Sequence, residues 1–515
     1  MKKKMIKLMS IALTLVLAFG FILNAKAIEI DVDTTKVGTI DVNSALVTNQ
    51  STITVTGVAD QDALSAFKIL DAYYNSASNV ITYEFTTEFK AFQASETGAA
   101  YSSWKIEDYY NLSGEGKAAE FEALAIKYAT YVKANGLTGT AMNMGGGQAT
   151  LTTAAGSYLI LPTAAVNVYS VMVANLDFVA NGNEWKLNTA AVTAKASKPT
   201  LTAGVNNAGY ASTSIQKGDV FNYILSSVIP AYPTSALNTQ YYMTAEIPET
   251  ISLTGIQNIV VKDGDTVLTT NADGTVTKGA DVVASIAYTS AAAEEAASVL
   301  TVNFDLSKIG ATSVEVTVPV TLNDLAYTDA YLGKEHVSTF KLNYSNDPYA
   351  ANGESIAIIE AVKAAGADDI QVFTYGMDIT LTNAEGTKLS GGSFSICEDA
   401  TCSKVIQSGL TTDANGFVKF AGLKDATYYV RQDTAPTGYR LMTTIEPVKV
   451  GPTATGTAEA DGYYSATFTN AAAGILPSTG GVGTLVFTVI GILVIGVAFY
   501  FVIVYRRKNK DKEEK

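Results

Sequence analysis

Histidine and cysteine are nearly absent from the chain: its 515 residues hold one His and two Cys. One imidazole and two closely spaced thiols supply no metal-ligand set and no Cys/His or Ser/His/Asp catalytic group, so neither a metal nor a cofactor is expected. Charge is also sparse, at 16% of residues against 48% hydrophobic. That balance builds cores and does not suit a disordered polymer. Basic residues are scarcest in the body. Of 35 Lys and Arg, 11 lie in residues 1–27 and 481–515, and of 49 Asp and Glu only 3 do. The stretch between therefore carries 24 basic and 46 acidic residues, a net −22. Such a surface repels phosphate backbones and excludes nucleic acid as a partner.

The two ends carry signals. Residues 1–27 read as a basic run, an apolar stretch and small residues Ala25 and Ala27 flanking Lys26. This is the layout of a signal peptide, which places the mature start at Ile28. Residues 482–505 form an uncharged apolar run long enough to cross about 30 Å of hydrocarbon as a helix, and RRKNKDKEEK follows it. A basic cluster after the span keeps the C-terminus cytoplasmic and the large body outside.

Between them, runs such as SVEVTVPVTLN and DITLTNAEG alternate apolar and polar residues and end in Gly, Asn, Asp or Ser. Period two with frequent turns predicts a mainly β chain of tandem immunoglobulin-like β-sandwich domains. One helix interrupts the pattern: Phe121, Leu124, Ala125, Tyr128, Tyr131 and Val132 recur at three- and four-residue steps between Ala118 and Asn135, with Gly136 as its stop. Joints at KASKPT and after NDPYAANGES suggest an N-terminal domain over 28–197, a middle sandwich over 198–369 and a third domain over 370–475, followed by a terminal segment over 476–515.

Leu476, Pro477, Ser478, Thr479 and Gly480 stand directly before the apolar span and its basic tail. This order resembles the cell-wall sorting signal of Gram-positive surface proteins. The resemblance implies cleavage between Thr479 and Gly480 by a sortase, whose thiolate holds the Thr479 carbonyl as a thioester until an amine attacks. Pro477 fixes its own φ and biases Leu476 to extended backbone, which presents a strand-like substrate. In the third domain, TYGMDITLTNAEGTKLSGGSFSI, GFVKFAGLKDATYYVRQDTAPTGYRLM and ATFTN resemble the collagen-adhesin B-type domain of sortase-assembled backbone pilins. The stretch from KPTLTAG to FKLNYSNDPY resembles the middle domain of those pilins.

That resemblance implies two kinds of amide. One joins subunits, through a lysine shortly before Lys-Pro-Thr. Lys195 stands at the family position, although Thr193, Ala194 and Ala196 depart from the Tyr-Pro-Lys-Asn pattern, and Lys198 and Lys186 remain alternatives. The other kind lies inside a domain: a buried lysine joined to an asparagine, with a neighbouring acid to shuttle protons. In the third domain Asn470 holds the asparagine position, but Leu381 replaces the lysine and Gln432 the acid. In the middle domain Asn346 and Glu249 correspond to the asparagine and acid, and Ala203 replaces the lysine. Leu381 and Ala203 are no nucleophiles and Gln432 cannot cycle a proton, so both internal amides are expected to be lost, the alternative being that another lysine such as Lys388 reaches in. A carboxyl left in a core without its lysine would be an unpaired burden, which accounts for the paired change.

Cys397 and Cys402 of an exported chain are expected to form a disulfide closing a short hairpin loop, of order 2 to 3 kcal/mol at best. MGGG at 144–147 has no phosphate-loop context and reads as a turn, His336 in GKEHVS as a surface residue, and the tyrosines as strand residues without a sugar platform. The expected function is a cell-surface pilus backbone subunit, secreted and wall-anchored from a membrane-bound precursor. Its partners would be pilin-class and housekeeping sortases, identical subunits, peptidoglycan and a tip adhesin. The alternative is a singly anchored adhesin or basal pilin, and a hydrolase is disfavoured for want of a catalytic set.

Overall fold

The computed structural model describes residues 43–78, 80–112, 117–181, 184–206, 210–233, 236–290, 297–351, 355–362, 369–452, 462–474 and 482–513. The chain divides into two units, Met1–Thr374 and Tyr375–Lys515.

Unit 1 begins with two facing four-stranded sheets. In one, Ala190–Thr193 lies parallel to Gln50–Thr56, followed by Gln148–Ala154 and Asn143–Gly145. The other runs Met172–Leu176, Gly156–Ala164, Ala63–Lys68 and Thr140–Ala141. In QSTITVT only Ile53 and Val55 are buried, and they meet Leu64, Ala66, Leu151 and Ile160 between the sheets, as a period of two requires. A second core is aromatic. Helices Thr87–Ala94, Ile106–Asn111 and Ala118–Ala134 pack Phe89, Phe92, Tyr109, Phe121 and Tyr128 against Ile81 and Phe85 of the strand Val80–Phe85. The helix expected after Ala118 buries the expected stripe, except that Tyr131 is half-buried.

The middle of unit 1 is a larger sandwich. The strand Ser313–Leu322 (SVEVTVPVTL) buries every second residue against the facing sheet that contains Tyr241–Ile247, Ser298–Phe304 and His336–Ser345. Its short strand Ile370–Phe373 pairs antiparallel with His336–Ser345 and parallel with Ser212–Ser214. Ile370–Phe373, placed by the sequence in the third domain, is thus paired into this sandwich, and unit 2 begins at Tyr375.

Unit 2 contains a three-stranded sheet, in the order Phe417–Leu423, Tyr375–Thr382, Tyr463–Thr469, and a four-stranded sheet, in the order Val405–Thr411, Ser393–Cys397, Ala426–Thr434, Glu446–Val450. Met377, Ile379, Leu381, Phe394, Ile396 and Phe420 are fully buried in it. Beyond it, Val482–Glu513 is one helix, and its Leu485–Arg507 stretch is long and apolar enough to span a membrane. The expected signal peptide and Leu476 to Gly480 lie outside the described residues.

Candidate functional sites

The third-domain positions come together around the end of the parallel pair Tyr375–Thr382 and Tyr463–Thr469. Leu381 is fully buried opposite Phe468, and the Asn470 amide donates to the Thr382 carbonyl at 2.9 Å, continuing the ladder one step. Gln432 reaches in from Ala426–Thr434. Its Nε2 donates to Asn470 Oδ1 at 2.8 Å, and Asn470 Nδ2 donates to Gln432 Oε1 at 2.9 Å and to the Arg440 carbonyl at 2.6 Å. The Met442 amide also donates to Gln432 Oε1 at 2.9 Å. Two neutral amides thus satisfy one another at 2% and 1% exposure, the condition for a polar pair to be tolerated in a core. Leu381 closes the third side. A Cβ on Gly392 would run into Leu381 Cδ2 and approach Gln432 Nε2 to 3.3 Å, so a larger residue there would have to displace the Leu381 side chain. The hydrogen bonds thus join Gln432 to Asn470, and Leu381 supplies only apolar packing beside them.

Gln432→Glu tests that balance. A buried carboxylate facing Asn470 Oδ1 and no cation should cost about 1–3 kcal/mol at neutral pH. Its folded pKa would be raised, so the lost stability should return as pH falls through that pKa, while the wild type shows no such acid recovery. Thermal melts at pH 4 and pH 7 read the difference.

In the middle sandwich the expected set does not assemble. Asn346 follows the C-terminal end of His336–Ser345 and Glu249 follows that of Tyr241–Ile247. These strands run antiparallel with Tyr241 opposite Tyr344. The two residues therefore lie at opposite ends of a pair roughly 20 Å long, and Glu249 is not the acid partner of Asn346. Glu249 instead accepts from the Tyr331 hydroxyl. Ala203 is buried in the core at the expected strand position.

Asn346 belongs to a clip between the middle sandwich and the N-terminal domain. Its Nδ2 donates to the Ala165 carbonyl, and the Tyr344 hydroxyl donates to the Val166 carbonyl. Asp347 pairs with Lys133 of the long helix at 2.5 Å. Tyr349, 1% exposed, enters the aromatic core of the N-terminal domain, where its hydroxyl accepts the Val171 amide at 2.8 Å.

Lys195 lies between two short strands, with its backbone fixed on both sides, as is that of Lys186 within its hairpin. The Ala194 amide donates to the Thr56 carbonyl at 2.8 Å, the Lys195 carbonyl accepts from Ser170 at 3.1 Å, and Ala196 pairs with Tyr169. Lys195 is half-buried. Lys198 and Lys186 are exposed, Lys186 on the hairpin Phe178–Asn181/Glu184–Leu187.

Cys397 and Cys402 are joined in a disulfide at the turn after Ser393–Cys397. Asp399 inside the loop accepts from the Thr401 hydroxyl and from the amides of Ser403 and Lys404, and these donors hold its carboxyl well below the usual range.

His336 is not a surface residue. It is 2% exposed, covered by Thr250, whose Oγ1 lies 2.9 Å from Nδ1, and by Tyr331, which stacks on it. Burial pushes its pKa down to about 4. As pH falls from 6.5 to 4 the unfolded chain takes up a proton that the folded chain refuses, so stability drops by about 3 kcal/mol across that window. His336→Gln should flatten this part of the melting temperature against pH.

Residues 377–463 match the SpaA family, described as a prealbumin-like fold domain, and residues 469–512 match the LPXTG cell wall anchor motif. No curated protein sequence matches the chain. Among solved structures, the T6 backbone pilin of serotype M6 Streptococcus pyogenes is 17% identical with a TM-score of 0.59, covering 78% of this chain and 80% of its own. The full-length major pilin SpaD of Corynebacterium diphtheriae is 14% identical with a TM-score of 0.48, covering 83% and 98%. The major pilin subunit BcpA of Bacillus cereus is 14% identical with a TM-score of 0.43, covering 82% and 100%.

Proposed function

We propose that this chain, which carries a prealbumin-like SpaA domain and an LPXTG wall anchor on a pilin fold, is the polymerising backbone subunit of a cell-surface pilus. The wall anchor carries the reading: it directly follows a prealbumin-like domain and leads into the apolar helix Val482–Glu513. A sortase thiolate attacks the Thr479 carbonyl, the Thr479–Gly480 amide breaks, and Gly480 leaves as the amine. The Nζ of Lys195 on another subunit then attacks the thioester carbon, forms the new amide and releases the thiolate. Repetition builds a covalent fibre, and a last transfer to a peptidoglycan amine attaches it. A pilin-class sortase performs the first role, a housekeeping sortase the second, and a separate tip subunit would supply adhesion.

Lys195 suits the role because its backbone is held on both sides, which limits the conformations the amine must lose on reaching the thioester. An immunoblot of boiled cell-wall extract tests the reading. A high-mass ladder supports polymerisation, and one anchored band would instead assign a singly attached adhesin.

A further inference from the structure

We infer that the third domain is a force-yielding element of the fibre, held shut by a parallel pair of terminal strands and not by a covalent tie. The inference rests on the polymerisation reading. In a fibre linked from Lys195 to Thr479, tension in each subunit passes along the chain between those residues and so must cross unit 2 from Tyr375 to Ala473.

The first described strand of unit 2, Tyr375–Thr382, and the last, Tyr463–Thr469, are neighbours and run parallel over seven paired positions from Gly376/Tyr463 to Thr382/Thr469. Parallel strands place the start of one and the finish of the other at opposite ends. Tension then acts along the strands and across their hydrogen bonds, so the whole ladder is loaded in shear and does not open bond by bond.

A covalent bond between positions 381 and 470 would carry that tension from one strand to the other and shield everything between. Leu381 provides no amine, and what holds Asn470 is reversible: the amide pair with Gln432 and its bonds to the Thr382 and Arg440 carbonyls. The Cys397–Cys402 bridge spans five positions within the other sheet and does not connect the terminal strands. Its placement means it cannot replace a tie between them. Once the ladder slips, the load falls on the antiparallel pairs within the domain, and full unfolding of residues 382–469 lengthens the subunit by roughly 30 nm at about 3.5 Å per residue. Folding can restore the domain when tension falls, so the fibre would absorb a pull and recover.

The register provides a means of testing this. The hydroxyls of Thr382 and Thr469 lie 3.3 Å apart across the pair, so Thr382→Cys with Thr469→Cys should staple the strands. The exported chain, residues 28–479, is pulled between a handle at position 195 and one at its C-terminus. Wild type should show a step of roughly 30 nm, distinct from the roughly 60 nm that residues 200–373 of the middle sandwich would release. The stapled chain, its closure checked by thiol titration, should lack that step and regain it in reductant. Wild type that stays closed until the tether breaks overturns the inference, as does a 30 nm step that persists in the closed variant. Both are read on a monomer, so they stand apart from any failure of the ladder experiment.

Discussion

Replacing Lys195 with alanine should collapse the high-mass ladder of the wall extract to monomer, a loss of polymer of at least tenfold. The chemistry makes the effect nearly all-or-none. In the proposed mechanism the acyl-enzyme at Thr479 would form whether or not an acceptor is present, but each new link would require an amine delivered to the thioester. Lys198 lies three residues away and is exposed, so proximity alone would let it substitute. The two differ in that the Lys195 carbonyl itself accepts from Ser170 and Lys195 is half-buried, while Lys198 is exposed between Ser197, paired with Val168, and Thr200, paired with Val228. Lys195→Arg should fail as completely as alanine, since guanidinium stays protonated and is no nucleophile. Lys198→Ala and Lys186→Ala should keep the ladder, and a ladder that survives Lys195→Ala but not Lys198→Ala would move the role to Lys198.

What the sequence made legible follows physical locality. The alternation of SVEVTVPVTL is a property of ten adjacent residues, and it appears unchanged in the buried positions of Ser313–Leu322. The helix Ala118–Ala134 was readable for the same reason. Thr87–Ala94 and Ile106–Asn111 were not, because their aromatic residues suit a strand equally well. The signal that could have found the first is Thr86, whose side chain accepts from the Phe89 amide ahead of Glu88 in the first turn. The convergence of Leu381, Gln432 and Asn470 followed from motifs at fixed offsets in one small domain. Glu249 and Asn346 failed because which end of an antiparallel pair a residue occupies is set by register, which one strand does not reveal. His336 misled through its charged neighbours in GKEHVS, while the residues that cover it, Thr250 and Tyr331, come from elsewhere in the chain.

Tyr349→Ala should destabilise unit 1 by about 3–5 kcal/mol. In sequence Tyr349 looks like a loop residue of NDPYA, closing the middle sandwich. In the structure it is a core residue of a different domain, packed in the cluster that contains Phe89, Phe92 and Tyr128. Two losses combine on truncation: a cavity opens in an aromatic core, and the Val171 amide, buried at 8% exposure, loses its acceptor. Tyr349→Phe separates them by keeping the ring and removing only the hydroxyl, at about 1 kcal/mol. Lys133→Met breaks the pair with Asp347 and leaves that carboxylate, 9% exposed in its side chain, without its cation. Native-state hydrogen exchange distinguishes the possible outcomes. If the clip is what couples the two domains, Tyr349→Ala should lower protection in the helix Ala118–Ala134 as well as in the loop after Ser345. Loss confined to the loop would mean that the N-terminal core closes over the gap and that the joint is held by the Ala165 and Val166 carbonyl contacts and the Lys133–Asp347 pair.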